Sequence, residues 1–309
     1  MKKTILLTGA TGFLGSHVLK DLLDKDEFNI IVLKRRNSSL KRIDETTISR
    51  IKFYDVDSEQ NIIEKVFIEN DIDIVLHMAT AYGRSKESVA NILETNLILP
   101  ISIIENAIKH NANCFINIDS YFNKEKFSYE ALPNYSLSKK SLISWLKNFS
   151  SEIKIVNLVL EHVYGEFDSE SKFVESMIRN IAIDSVDSIP LTHGHQRRDF
   201  VYISDVVDAI SIAIKNCSTS KATFENFEVG SGQASEIKEF CELIKYYSGS
   251  ESNLEFGKIK YRNDEIMESK ADISKLKELG YEPKVFINEG VLKIINLYKK
   301  LQKALDDEK

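Results

Sequence analysis

The chain has 309 residues, with 41 Lys+Arg against 47 Asp+Glu for a net charge of −6, and 43% of its residues are hydrophobic. This is an ordinary globular composition, long enough for one major domain and one smaller one. A mildly acidic balance excludes nucleic acid as the main partner, because such binding draws most of its affinity from clustered Lys and Arg.

From the N-terminus, Lys2-Lys3-Thr4 runs into Ile5-Leu6-Leu7 and breaks at Thr8-Gly9. That apolar run is too short for a leader, and no stretch reaches the roughly 18–20 apolar residues that cross a bilayer. A cytoplasmic protein with no membrane partner is expected. Cys114, Cys217 and Cys241 are odd in number and widely spaced, without zinc or redox intervals. Buried thiols and no bound metal follow as expectations.

Short apolar runs predict strands at Thr4–Leu7, Asn29–Leu33, Ile51–Tyr54, Ile72–Leu76, Cys114–Ile118 and Lys154–Leu160. Three- and four-residue apolar spacing predicts helices at Phe13–Leu23, Gln60–Glu69, Ala90–Lys109 and Tyr135–Phe149 between them. The alternation specifies an α/β fold, a Rossmann-type doubly wound parallel sheet over residues 1–164, with a returning segment near 195–216. Beyond about Gly165 the pattern changes. Helices near Ser171–Ile183, Asp205–Asn216, Ile237–Tyr247 and Asn288–Leu301, with strands such as Thr223–Val229 and Asn253–Phe256, predict a smaller α+β domain over 165–309.

The first strand leads through Thr8-Gly9-Ala10-Thr11-Gly12-Phe13-Leu14-Gly15 into an amphipathic helix. Glycines there let a pyrophosphate approach the free N–H donors of the helix N-terminus, where the helix dipole also favours negative charge. A strand, glycine turn and helix in that order predict a dinucleotide site formed by Thr8, Gly9, Thr11, Gly12, Phe13, Leu14 and Gly15. The second strand ends in Lys34-Arg35-Arg36, three cations where a carboxylate would repel a 2′-phosphate. This favours NADP(H), with NAD(H) the alternative cofactor and a solvated basic turn the alternative account.

Tyr135 and Lys139 lie four apart at the start of a helix, which places phenol and ammonium on one face. A nearby cation lowers a phenol's pKa toward the range of a usable acid/base. Ser120 sits at the carboxyl end of the preceding strand, the edge where open α/β sheets bind ligands. Together with the glycine turn, these residues resemble the extended short-chain dehydrogenase/reductase family, which would make Ser120, Tyr135 and Lys139 the catalytic triad.

The same resemblance extends along nearly the whole chain. It implies cofactor contacts at Asp55 and Val56, at Met78, Ala79 and Thr80 after the fourth strand, and at His162 in Glu161-His162-Val163-Tyr164-Gly165. Tyr135 and Lys139 would also touch the cofactor. His195-Gln196-Arg197-Arg198-Asp199-Phe200 resembles the block used on sugar nucleotides, with Arg198 directed at a diphosphate. Arg262, followed by Ala271-Asp272, is similar to a second such arginine. A structural ion pair is the alternative for each. Tyr82, Ser120, Tyr121 and Phe173 complete the implied substrate contacts.

Within the family, Ala81-Tyr82-Gly83-Arg84, Asp119-Ser120-Tyr121-Phe122 and Glu255-Phe256-Gly257 are similar to reductases of CDP-4-keto-6-deoxyglucose. Dehydratases of the family carry an Asp-Glu pair where Tyr121-Phe122 stand here, so elimination lacks its acid/base groups. The resemblance implies an NADPH-dependent 4-ketoreductase making a deoxysugar nucleotide for surface polysaccharide. It also implies a homodimer through the helices Ala90–Lys109 and Tyr135–Phe149. Two alternatives are an NAD-dependent nucleotide-sugar 4-epimerase and a non-catalytic NADP-binding regulatory protein.

Overall fold

The computed structural model describes residues 2–84, 86–124, 132–217 and 219–307. Six strands appear where apolar runs predict them: β1 (Lys3–Thr8), β2 (Phe28–Lys34), β3 (Lys52–Asp55), β4 (Ile74–His77), β5 (Cys114–Ser120) and β6 (Lys154–Leu160). With the strand Phe224–Val229 they form one sheet in the order Phe224–Val229, β6, β5, β4, β1, β2, β3. The pairs β1·β2, β1·β4, β2·β3 and β4·β5 are parallel. The fold is thus α/β and Rossmann-type. Strands such as β4 are buried along their whole length because helices cover both faces, which is why they read as unbroken apolar runs.

The chain divides into two compact units. The first comprises 1–159, 207–227 and 278–281; the second comprises 160–206, 228–277 and 282–309. These limits differ from the expected boundary after residue 164 and return near 195–216. The strand predicted at Thr223–Val229 belongs to the main sheet and not to the smaller domain, since it pairs with β6 at the sheet edge.

In the first unit, Leu6, Ile31, Val75 and Phe115 pack from the sheet against Val66, Phe67, Ile103, Ile104, Leu142 and Leu146 from helices. The helix α1 (Phe13–Lys25) buries Val18, Leu19, Leu22 and Leu23. The single helix expected over Ala90–Lys109 is interrupted. It runs as Val89–Leu93, a widened π turn at Glu94–Ile98, and Leu99–Lys109. Two local causes coincide there. Pro100 cannot donate a helical hydrogen bond, and the Asn96 side chain is turned inward to partners described below.

The second unit carries short strands, each of two or three residues: Asn253–Glu255, where a strand is expected, pairs with Ser188–Pro190, and periodicity did not reveal His162–Tyr164 paired with Phe200–Tyr202 or Arg197–Arg198 between Ser235–Glu236 and Glu268–Ser269. Asp199, fully buried, holds the unit's central loops by accepting from Ser231 N and Oγ, Gly232 N and Ala271 N. Among the described residues, no helix is long and apolar enough to cross a membrane, and no cluster of three or more His, Cys, Asp or Glu could hold a metal ion.

Candidate active site

The sheet order reverses at β1, which is flanked by β2 on one side and β4 on the other. Ligands of open α/β sheets bind at such switch points, outside the carboxyl ends of the strands. Here β1 ends in Thr8 and the glycine turn. Gly9 has φ +73°, and a Cβ on it would lie 2.6 Å from Ala79 N and Met78 C. A Cβ on Gly15 would lie 2.0 Å from Gly9 O, so α1 seats directly on the turn. Gly12 caps α1 without a side-chain bond, and no acidic residue occupies its first turn. This side-chain-free helix N-terminus fits a dinucleotide pyrophosphate.

Thr8 is a tie between strands. Its Oγ1 bonds His77 Nδ1 at 2.9 Å and accepts from Met78 N and Ala79 N, both at 3.2 Å. Through it the Met78-Ala79-Thr80 segment is fixed beside the turn. Thr11, Phe13 and Leu14 are half-buried around it, with the Phe13 ring edge-on to His17 at 5.4 Å.

At the end of β2 the three cations separate in role. Lys34 Nζ pairs with Asp55 Oδ1 at 2.5 Å, and Val56 N donates to Lys34 O at 2.7 Å, locking β3 to β2. Arg35 and Arg36 are exposed, and the Arg36 backbone N donates to Asp57 Oδ1 at 2.8 Å. Lys34 therefore has its charge answered within the fold, while Arg35 and Arg36 stand exposed at the end of the strand.

The structure brings Ser120, Tyr135 and Lys139 together. Ser120 closes β5 and its Oγ accepts from Phe122 N at 3.4 Å. Tyr135, on the helix Pro133–Phe149, is 3% exposed and hydrogen-bonded through its side chain to Ser120. Its ring stacks on Tyr82 at 5.0 Å and meets the Phe122 edge at 6.3 Å. Tyr121, also buried, packs against Phe122 at 4.1 Å. Lys139 is buried one turn further and donates to the Ile118 carbonyl at 2.6 Å.

Burial, and after it the neighbouring Tyr82 and Asp119, raise the Tyr135 phenol well above its ordinary range, against the opposing hydrogen bond with Ser120. The ammonium is directed at a backbone carbonyl, and burial lowers it from the usual lysine range. The phenol is thus in its protonated form, the form from which a general acid acts.

Sequence periodicity missed a group that fastens this site. Asn96, 1% exposed, accepts from Ala81 N at 2.8 Å and donates to Ala81 O at 2.8 Å and Ser138 Oγ at 3.0 Å. Ser138 Oγ donates in turn to Tyr135 O at 2.8 Å. The helix carrying Tyr135 and the loop carrying Tyr82 are thereby tied to one carboxamide. A polar residue on an apolar helix face, one turn before Pro100, was the available signal.

The remaining implied residues lie in the second unit. Arg198, 5% exposed, is paired with Glu265 at 2.6 Å and donates to Arg197 O at 2.9 Å, the ion-pair alternative named above. The Arg262 side chain is exposed. His162 meets the Phe200 ring edge-on at 5.8 Å, and Phe173 lies 6.3 Å from Phe240. Part of the connection between Ser120 and Tyr135, residues 125–131, lies outside the described residues.

Comparison with known proteins agrees with this geometry. The family model described as the NAD dependent epimerase/dehydratase family matches residues 5–230. CDP-abequose synthase of Salmonella muenchen is 34% identical over 302 residues, covering 96% of this chain and 98% of that protein. CDP-abequose synthase of Salmonella typhimurium is 30% identical over the same span and shares. Among solved structures, UDP-glucose 4-epimerase from Thermotoga maritima with UDP-glucose superposes with a TM-score of 0.82 at 23% identity, over 97% of this chain and 99% of that one. UDP-glucose 4-epimerase of Thermus thermophilus in complex with NAD gives 0.78 at 21% identity, over 96% and 99%.

Proposed function

Since the chain belongs to the NAD dependent epimerase/dehydratase family, we propose that it is an NADPH-dependent 4-ketoreductase of a nucleotide-activated 4-keto-6-deoxyhexose. CDP-4-keto-6-deoxyglucose is the favoured substrate, and the product is a deoxysugar nucleotide for surface polysaccharide. The observation that carries the reading is Ser120 at the carboxyl end of β5 facing the buried Tyr135, with buried Lys139 one helical turn further on. Two hydroxyls so placed can both address one carbonyl oxygen.

NADPH, when bound on the glycine turn, supplies the hydride that carbon 4 of the sugar receives. Ser120 orients the carbonyl, and Tyr135 gives its phenolic proton to the oxygen as the C–O double bond becomes a hydroxyl. Lys139 holds its ammonium beside them, toward the cofactor's ribose. Arg198 and Arg262 are assigned to the substrate's diphosphate, whose binding energy would position the reacting carbon. The CDP-abequose synthase relatives support a CDP sugar, and Tyr121-Phe122 in place of an Asp-Glu pair supports reduction over dehydration.

The test is NADPH oxidation with CDP- and dTDP-4-keto-6-deoxyglucose, with the product's configuration at carbon 4 read by NMR. Turnover with the CDP sugar and faster than with the dTDP sugar is expected. Absence of NADPH oxidation, together with NAD retained through purification, would assign a 4-epimerase instead.

Replacing both Arg35 and Arg36 by neutral residues is expected to weaken NADPH by about 10- to 100-fold, the worth of one or two charge-assisted hydrogen bonds, with NADH changed by less than about twofold. Titration of both nucleotides checks this; equal losses would return the turn to solvent. A homodimer in the cytoplasm is part of the same reading. Val89, Leu93, Ile98, Leu137 and Trp145, all exposed on the two long helical segments, support it.

A further inference from the structure

Next to the proposed proton donor lies a charged group that the reaction above does not use. Asp119 is 5% exposed, one residue before Ser120. Strand alternation puts it on one face of β5 with Phe115 and Asn117. Its two oxygens are held separately: Oδ1 accepts from Asn123 Nδ2 at 2.6 Å, and Oδ2 from Asn157 Nδ2 at 3.3 Å. Asn157 is itself fixed, donating to Asn226 Oδ1 at 2.7 Å and accepting from Asn117 Nδ2 at 2.7 Å. An amide donor on each oxygen suits an ionised carboxylate, which only accepts.

The complementary charge is close by. Lys139 Nζ bonds the Ile118 carbonyl, the oxygen of the peptide that joins Ile118 to Asp119. Burial raises the Asp119 carboxyl and lowers the Lys139 ammonium, and the attraction of each for the other opposes both shifts. Of the titratable groups around the pair, His77 from β4 faces Lys139 and Tyr135 faces Asp119, with Tyr82 from the loop after β4 and Tyr121 after β5 in turn facing Tyr135. Burial, and then Lys139, push His77 down to about 3, and it stays neutral. Burial holds the Tyr135 phenol protonated, so Asp119 supplies the counter-charge. Removing one member of a buried pair leaves the other uncompensated.

We propose that Asp119 is a positioning residue of this site: its buried carboxylate, clamped by Asn123 and Asn157, anchors the Lys139 ammonium against the Ile118 carbonyl one helical turn from Tyr135. The assignment rests on the reductase reading of Ser120, Tyr135 and Lys139. Loss of the negative charge would let both the ammonium and the phenol release protons at lower pH.

The experiment uses the full chain carrying Asp119→Asn, close in shape and neutral. The basic limb of its kcat/KM profile for ketone reduction is expected to move toward acid. The ratio of activity near about pH 9 to that near about pH 7 should fall roughly tenfold relative to wild type. Asn157→Ala, which removes the hydrogen bonds to Asp119, Asn226 and Asn117 and leaves the charge, should lower Tm without moving that ratio. An unmoved ratio in Asp119→Asn, or an equal movement in Asn157→Ala, overturns the proposal. Asp119→Ser serves as the second variant; failure of both Asp119 variants to fold while Asn157→Ala folds would make Asp119 a folding residue and overturn it too. If wild type reduces no sugar nucleotide, the reductase reading fails separately. The Tyr135 phenolate is then titrated by ultraviolet difference against Tyr135→Phe, with and without Asp119→Asn. Ionisation at lower pH without the carboxylate supports the proposal, and coincident titrations overturn it.

Discussion

Tyr135→Phe is expected to lower kcat for ketone reduction by about 10²- to 10⁴-fold, the range supplied by a positioned general acid. NADPH affinity should change by less than about threefold, since the substitution removes one oxygen and leaves the ring. The ring's surroundings explain why the fold should survive. Its stack on Tyr82 at 5.0 Å and its edge contact with Phe122 at 6.3 Å do not depend on the hydroxyl. Ser120 loses its bond to the phenol but keeps Phe122 N. Nor can solvent easily replace the lost proton, because the position is 3% exposed. Steady-state NADPH oxidation and a binding titration on the same preparation check both halves. A rate within roughly tenfold of wild type would show that another group supplies the proton.

A change with no chemistry of its own should be nearly as damaging. In Gly9→Ala the new methyl group meets Ala79 N and Met78 C at 2.6 Å and Met78 O at 2.8 Å. These are backbone atoms of the segment following β4, held by the Thr8 side chain, and they cannot turn aside as a flexible side chain would. The left-handed conformation costs about 1–2 kcal/mol for a residue with a Cβ. Overpacking adds about 1–3 kcal/mol. A destabilisation of about 2–5 kcal/mol in chemical denaturation is therefore expected, with NADPH weakened by at least about tenfold as the amides of α1 are displaced. Gly249 supplies the comparison. It has φ +70° and nothing within 4 Å of a built Cβ, so Gly249→Ala should show the conformational cost alone. Equal losses in the two variants would mean that the close approach at Gly9 has no consequence.

Local pattern sufficed for much of this protein. The α/β class, six strands of the main sheet, the glycine turn before α1, and the pairing of Tyr135 with Lys139 on one helical face all follow from residue types at fixed short intervals. Such features are set by the 2.0 and 3.6 periods of backbone geometry and by glycine's freedom at positive φ. What the intervals cannot state is which partner a polar side chain finds across the fold. Tertiary structure decided that Lys34 is answered by Asp55, that Arg198 is paired with Glu265, and that Thr223–Val229 joins the main sheet. It decided as well that Asn96 opens a π turn to tie Tyr82's loop to Tyr135's helix. The phenol's ionisation belongs to the same class: four residues along a helix bring an ammonium near, but burial and the Asp119 charge raise Tyr135. Desolvation and long-range charge depend on everything packed around a group, and only the folded chain assembles those neighbours.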